Sequence, residues 1–292
     1  MVPNDQPQSR RKVLAGIASL GAAGLAGCVG GGSDEAAQTA TSTPTATPTA
    51  TEESAYDVDG DLTVDAGFTG DVASASGVVT IASGVEFDGA IDSGEGVVVE
   101  KNAVVTGRVQ TFGDVTVQSK ATVDGTIEGQ HVTVGDEAHV KGGITANGTL
   151  TVGKAARVDG TASSSQKLVA KTNAVFNDFV GAGLKAQIGE GVTIAQTLSA
   201  DSATVASGAT IDGGALVTEQ LTTKADVTFG SDVTGNGGVD LGTGNEVQGD
   251  VSSKGAVVIG ANSLVTGDVS GKTVDLGSDV TVEGTVSESS SK

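Results

Sequence analysis

Val105-Thr106-Gly107-Arg108-Val109 is followed one period later by Val123-Asp124-Gly125-Thr126-Ile127, and then by Val140-Lys141-Gly142-Gly143-Ile144. The phrase is apolar, any, usually glycine, any, apolar, and it is written 13 times between Phe68 and Val286. Its centres are Gly70, Gly89, Gly107, Gly125, Gly142, Gly160, Asp178, Gln196, Gly213, Ser231, Gly249, Gly267 and Gly284. Every interval between centres is 17, 18 or 19 residues. The residues two before and two after each centre are all apolar and mostly β-branched. A third apolar row lies eight residues before the centres, from Ile81 and Val99 to Ile259 and Leu276, and only Thr223 breaks it.

Apolar positions alternate with polar or small ones inside each phrase, which is the period of a strand. The runs are too short for helices, and Gly or Asn punctuates them. A period near 18 divides into three strands of about six residues, one per face of a triangular coil. Stacked coils place Val over Val and bury a narrow continuous core, while each backbone group bonds to the coils on either side. The expected fold is therefore all-β, a three-sided β-helix of about 12 to 13 coils with 17–18 residues each. At roughly 4.8 Å per layer the rod would be on the order of 60 Å long. The central Gly suits a place where the chain turns or approaches itself closely, because it lacks Cβ. A β-sandwich has strands of similar length, but its loops vary too much to hold one interval over 12 steps. Aromatic residues make up 2 %, consistent with a thin interior that rarely has room for a ring.

The segment before the repeats has a different composition. Ser9-Arg10-Arg11-Lys12-Val13-Leu14 leads into small apolar residues that end at Leu25-Ala26-Gly27-Cys28. A basic start and a short apolar run make an export signal over 1–27, and the pair Arg10-Arg11 matches the twin-arginine type. Leu25-Ala26-Gly27-Cys28 looks like a lipobox, so Cys28, the single cysteine, is the expected lipid anchor. Residues 28–56 are rich in Gly, Ser, Thr, Ala and Pro and read as an extended, disordered tether. The repeats then fill 57–287, and 288–292 form a polar tail. These features predict export and anchoring to the outer face of the cytoplasmic membrane.

Acidic residues outnumber basic ones 36 to 16, for a net charge of −20. Nucleic acid is excluded as a partner, since its binding rests on Lys and Arg neutralising phosphates. Strong acidity on an ordinary apolar core resembles proteins of salt-loving archaea, where screening quiets self-repulsion. Sites of chemistry are scarce. His131 and His139 have no cysteine to join them in a metal site, and both are expected to face solvent. Asp57-Val58-Asp59-Gly60-Asp61 lacks the Gly and acid of a calcium loop at its sixth and twelfth places; Val58-x-Gly60-x-Leu62 instead matches the coil phrase and reads as the start of the first, incomplete coil. Polysaccharide lyases on such folds need clustered acids with Arg or Lys on one face, and the only arginines after the signal, Arg108 and Arg157, lie on different coils. No nucleotide loop or nucleophile elbow is present, so the chain reads as non-enzymatic, with no cofactor. Asn147-Gly148-Thr149 is a candidate N-glycosylation site. Loss of the small residue at Asp178 and Gln196, with Phe176 and Phe179 nearby, predicts a distorted coil near 176–198.

The phrases Val105-Thr106-Gly107-Arg108-Val109 and Val123-Asp124-Gly125-Thr126-Ile127 resemble those of the bactofilins, a polymer-forming cytoskeletal family. The resemblance extends from about 57 to 287. It implies a right-handed three-sided β-helix that assembles end to end without nucleotide and recruits envelope proteins. The usual family domain has about half as many coils, which implies two tandem units here that meet near 176–198. A solenoid end also needs a cap on physical grounds, because it bares strand edges and core. No amphipathic helix or charged plug flanks the repeats, so the last coil, with Val280, Val282 and Val286, is the candidate assembly end. The expected role is a membrane-anchored scaffold that self-associates. The alternative is a surface module or adhesin that displays the rod to glycans or other cells.

Overall fold

The computed structural model describes residues 55–68 and 72–289. The export signal, with Arg10 and Arg11, and Cys28 lie outside the described residues, as does nearly all of the tether. The described chain is all-β, with 37 short strands paired in parallel from coil to coil. They form a solenoid of about 13 turns. The first strand is Ala55–Val58 and the last Val286–Glu288, so the coils begin and end slightly outside the span 57–287.

One coil shows how the sequence builds the three faces. Ala103 and Val105 point inward from one face, Val109 and Thr111 from the next, and Val115 and Val117 from the third; all six are buried. Within a face the inward residues are two apart, as the pleat requires. Across a corner they are four apart. We name the faces by these pairs: face A carries Val109 and Thr111, face B Val115 and Val117, face C Ala103 and Val105. Face C is a separate sheet of 12 strands. Faces A and B join into one sheet of 25, because Val180–Ile188 and Leu198–Val205 run around the corner between them unbroken.

Each corner solves a different packing problem. Between faces C and A, the chain presses on the coil before it. A Cβ on Gly107 would sit 2.2 Å from the Gly89 carbonyl oxygen, and one on Gly125 the same distance from that of Gly107. At Gly107 and Gly125 the central glycine of the phrase is therefore what permits the close approach. Between faces B and C, one residue per coil takes a left-handed conformation, from Gly84 and Asn102 to Asn262 and Asp279. Lys120, Glu137 and Ala155 occupy this place without the freedom of glycine or the tolerance of Asn and Asp. The corner between faces A and B absorbs the variation in coil length. In three of the 17-residue coils its inward residues close from four apart to three: Gly129 and Val132, Ala200 and Ala203, Gly271 and Val274. The first coil is also 17 residues long, but Val58 and Leu62 stay four apart at this corner.

Two expectations about register are corrected. The first phrase, Phe68 to Val72, is not in frame with the others. The Phe68 amide bonds back to the Asp65 carbonyl, as Val85 does to Ala82 and Ala103 to Glu100, which puts Phe68 in their row. Ala73, not Val72, pairs with Ile91 and is fully buried. Likewise Val58 and Leu62 pair with Ala75 and Val79, so Val58-x-Gly60-x-Leu62 spans the corner from A to B, not the one from C to A. The reason is geometric: each of the three corners ordinarily sets inward residues four apart, so the same apolar spacing arises at all three.

The core is one continuous cluster. It passes through 176–198 without interruption, with Phe176, Val180, Ile194 and Leu198 all buried. The irregularity in this stretch is a register shift between Ala182 and Lys185 against the next coil, the one-residue loss already described. Thr223, the break in the apolar row, is buried and bonded: its Oγ1 accepts from Asn245 Nδ2 and from the Gly242 amide. Asn245 Oδ1 in turn accepts the Val227 amide at 2.7 Å.

Candidate functional site

The two ends of the rod differ. At the amino-terminal end Leu62 and Val64 are buried, and Phe68 meets Phe87 edge to face at 5.7 Å. At the carboxy-terminal end the inward row opens to solvent. Leu276 is 38 % and Val286 48 % exposed, and Val274, Val280 and Val282 pack against the core while remaining partly open. The last strands, Thr273–Leu276, Thr281–Val282 and Val286–Glu288, each pair with one neighbour only among the described residues. Their outer edges bear unpaired peptide groups, which is the template for adding a strand.

Glu288 covers part of that edge. In an interior coil the Val115 amide donates onward to the His131 carbonyl. The corresponding Val274 amide donates to Glu288 Oε1 at 2.9 Å. The rim around the open core is acidic, with Asp275, Asp279, Glu283 and Glu288 in the last coil. Charge varies along the rod. Residues 55–100 hold ten acids and no base, 101–185 hold seven acids and nine bases, and 186–289 hold fourteen acids and three bases. Both ends are thus strongly negative and the middle is nearly neutral.

Many of the acids serve the backbone. Asp232 Oδ1 accepts the Asp250 amide, Asp250 Oδ1 the Asp268 amide, and Asp268 Oδ1 the Thr285 amide, at 2.7–2.9 Å. A Cβ on Gly249, Gly267 or Gly284 would fall within 2.5 Å of these carboxylate oxygens. In the last coils, then, the glycine makes room for an Asp ladder. The amide and hydroxyl of Thr285 hold the Asp268 carboxyl below its usual value of 3.8. Asp61 has a similar task, accepting the Val78 amide at 2.8 Å, so the acidic run 57–61 is engaged in joining coils.

The remaining candidates are dispersed. His131 Nδ1 accepts the Thr149 amide at 3.0 Å near the corner of faces A and B. His139 stands on face C, away from His131, with Nε2 2.7 Å from Asp159 Oδ2. Arg157 and Asn177 donate to the other oxygen of Asp159. Burial would raise the Asp159 carboxyl, but the bonds from His139 and Arg157 outweigh it and hold the group low. This cluster ties three successive coils together. Asn147 is exposed at the corner of faces A and B. Among the described residues, no group of three His, Cys, Asp or Glu is placed to hold a metal ion, and no helix is long and apolar enough to cross a membrane.

Sequence reasoning located the apolar rows but missed Glu288 and the Asp ladder. The recurrence of Asp at 232, 250 and 268, each one period apart, was the available signal. Compared with known proteins, residues 79–180 match the family described as "Bactofilin: Polymer-forming cytoskeletal". No curated protein and no solved structure matches the chain. The matched stretch is about a third of the sequence and lies wholly within the regular coils. The chain thus carries a bactofilin-like β-solenoid, similar over residues 79–180 to a family that is cytoskeletal and polymer-forming.

Proposed function

We propose that this protein is a non-enzymatic scaffold, lipid-anchored through Cys28 outside the cytoplasmic membrane, whose rod self-associates end to end through its carboxy-terminal tip. The observation that carries the reading is the open last coil, where Leu276 and Val286 lie exposed above unpaired strand edges. A second copy can cover that apolar surface and continue the backbone ladder. The polymer-forming character of the matched family supports the same reading. Export through Arg10 and Arg11 and a lipid on Cys28 would put the assembly where it can organise the cell envelope or cell shape. One lipid chain holds a protein weakly to a membrane, and assembly would add avidity by linking anchors.

The acidic rim sets the conditions. Tips of like charge repel, and salt screens them over a few ångströms. Assembly should therefore increase with salt, as suits a halophilic setting. Electron microscopy and sedimentation of the mature protein at low and high salt test this. End-to-end particles are expected at high salt, and Val282→Asp should abolish them while the preceding coils stay folded. Single rods at every salt concentration, or particles of unchanged length from the variant, would overturn the proposal.

A further inference from the structure

Phe112 breaks the logic of the repeat. It follows the second inward residue of face A, at the corner between faces A and B. The corresponding residues in other coils are Ser76, Gly94, Gln130, Asn147, Ser165 and Gly183. A phenyl ring there reaches no core, and Phe112 is 87 % exposed. Since it contributes nothing to packing, its presence calls for a different explanation.

The ring walls a crevice of about 170 Å³, completed by Asp92, Gln110, Thr111, Glu128 and Asn147. Asp92, Gln110 and Glu128 are consecutive rungs of one outward row, held in register by the parallel pairing of face A. Among the described residues neither carboxylate belongs to an ion pair. Gln110 Oε1 accepts from Arg108, which leaves the Gln110 amide hydrogens as the donors this side chain can offer. The Thr111 hydroxyl oxygen is engaged by the Gly113 amide.

We propose that this crevice binds a sugar ring of a glycan, with Phe112 as the stacking platform. The carboxylates of Asp92 and Glu128 only accept hydrogen bonds, the Gln110 carboxamide offers donors, and that of Asn147 both donates and accepts. A pyranose hydroxyl does both as well, so the hydroxyls of a sugar match the mixture of donors and acceptors on the crevice wall. A lysine or arginine side chain would suit the carboxylates and the ring face. It has no acceptor for the carboxamide donors, and Arg108 already stands beside Gln110. One aromatic surface with a few converging polar groups is the general form of a small-ligand site. The proposal does not depend on docking at the tip, since the crevice lies many coils away from it.

The test uses the mature protein and saturation-transfer NMR with glucose, galactose and N-acetylglucosamine, each at millimolar concentration. At least one sugar should receive saturation, and Phe112→Ala should weaken its binding on the order of tenfold. Circular dichroism should show the variant folded, because the ring is outside the core, and salt-driven assembly should be unaffected. Three results would overturn the proposal. One is no transfer to any of the sugars, or equal transfer with Phe112→Ala. Another is Phe112-dependent binding of a tetralysine peptide in preference to the sugars. The third is intact mass showing a glycan already attached to Asn147, which would fill the crevice from the protein itself.

Discussion

The corner between faces B and C offers two matched substitutions with opposite expected signs. Ala155 sits there with φ of 51° and Gly208 with φ of 68°, at equivalent places in their coils. Ala155 is exposed, so its methyl group buries nothing. A Cβ added to Gly208 would meet no atom within 4 Å, so the change there is one of backbone alone. The left-handed conformation costs an alanine about 1–2 kcal/mol. Glycine is the freer residue when unfolded, which offsets about 0.5–1 kcal/mol of that. Ala155→Gly should therefore stabilise by about 0.5–1 kcal/mol, and Gly208→Ala should destabilise by a similar amount. Gly107→Ala serves as a steric contrast. Its Cβ would lie 2.2 Å from a carbonyl oxygen, so the stacked coils must separate and the loss should be several times larger. Long repeat arrays do not unfold as one unit, so hydrogen exchange of the amides flanking each site is the appropriate assay. Protection should rise around 155 and fall around 208. A decrease at Ala155→Gly, or no change at Gly208→Ala, would refute the assignment of strain to this corner.

Three other outcomes are expected. Thr223→Val keeps the shape of the side chain but removes the acceptor of Asn245 Nδ2 and of the Gly242 amide. It should cost about 1–3 kcal/mol, read as lost exchange protection at Val227, and full retention of protection there would count against the buried network. The Asp268 carboxyl is held below 3.8, so its stabilising contribution is complete above that value and is lost as pH falls through the lower folded-state value. Its NMR titration midpoint should lie below that of a free Asp and rise toward it in Thr285→Ala, whereas an unshifted midpoint in the parent would contradict the ladder. Cys28→Ser should move the protein from the membrane fraction to the medium, and a variant that stays with the membrane would rule out a lipid anchor at that residue.

Much of the architecture was readable before any coordinates. Val105, Val123 and Val140 recur one period apart, and the stacking of identical coils follows from that interval, because only neighbouring layers of equal length can pair throughout. The calcium reading of 57–61 could also be set aside from spacing alone, and the structure adds that Asp61 bonds the next coil. The frame of the first coil was not readable. Phe68 and Val72 have the right spacing for the corner from C to A, yet Phe68 stands in the row of Val85 and Ala103. Spacing is degenerate among corners, and the choice is made by hydrogen bonds to the coil above. Thr223 looked like a defect for a related reason. Its partner Asn245 is 22 residues away, on another coil.

The amino-acid sequence by itself determined the period, the all-β class and the rows that form the core, since those depend on alternation and interval along the chain. Tertiary structure alone decided that Leu276 and Val286 lie exposed in the last coil, and that three of the shortened coils lose their residue at one corner. It also brought Phe112 against Asp92, Glu128 and Asn147. These are properties of contact between layers, and the chain must wind a full turn before such neighbours exist.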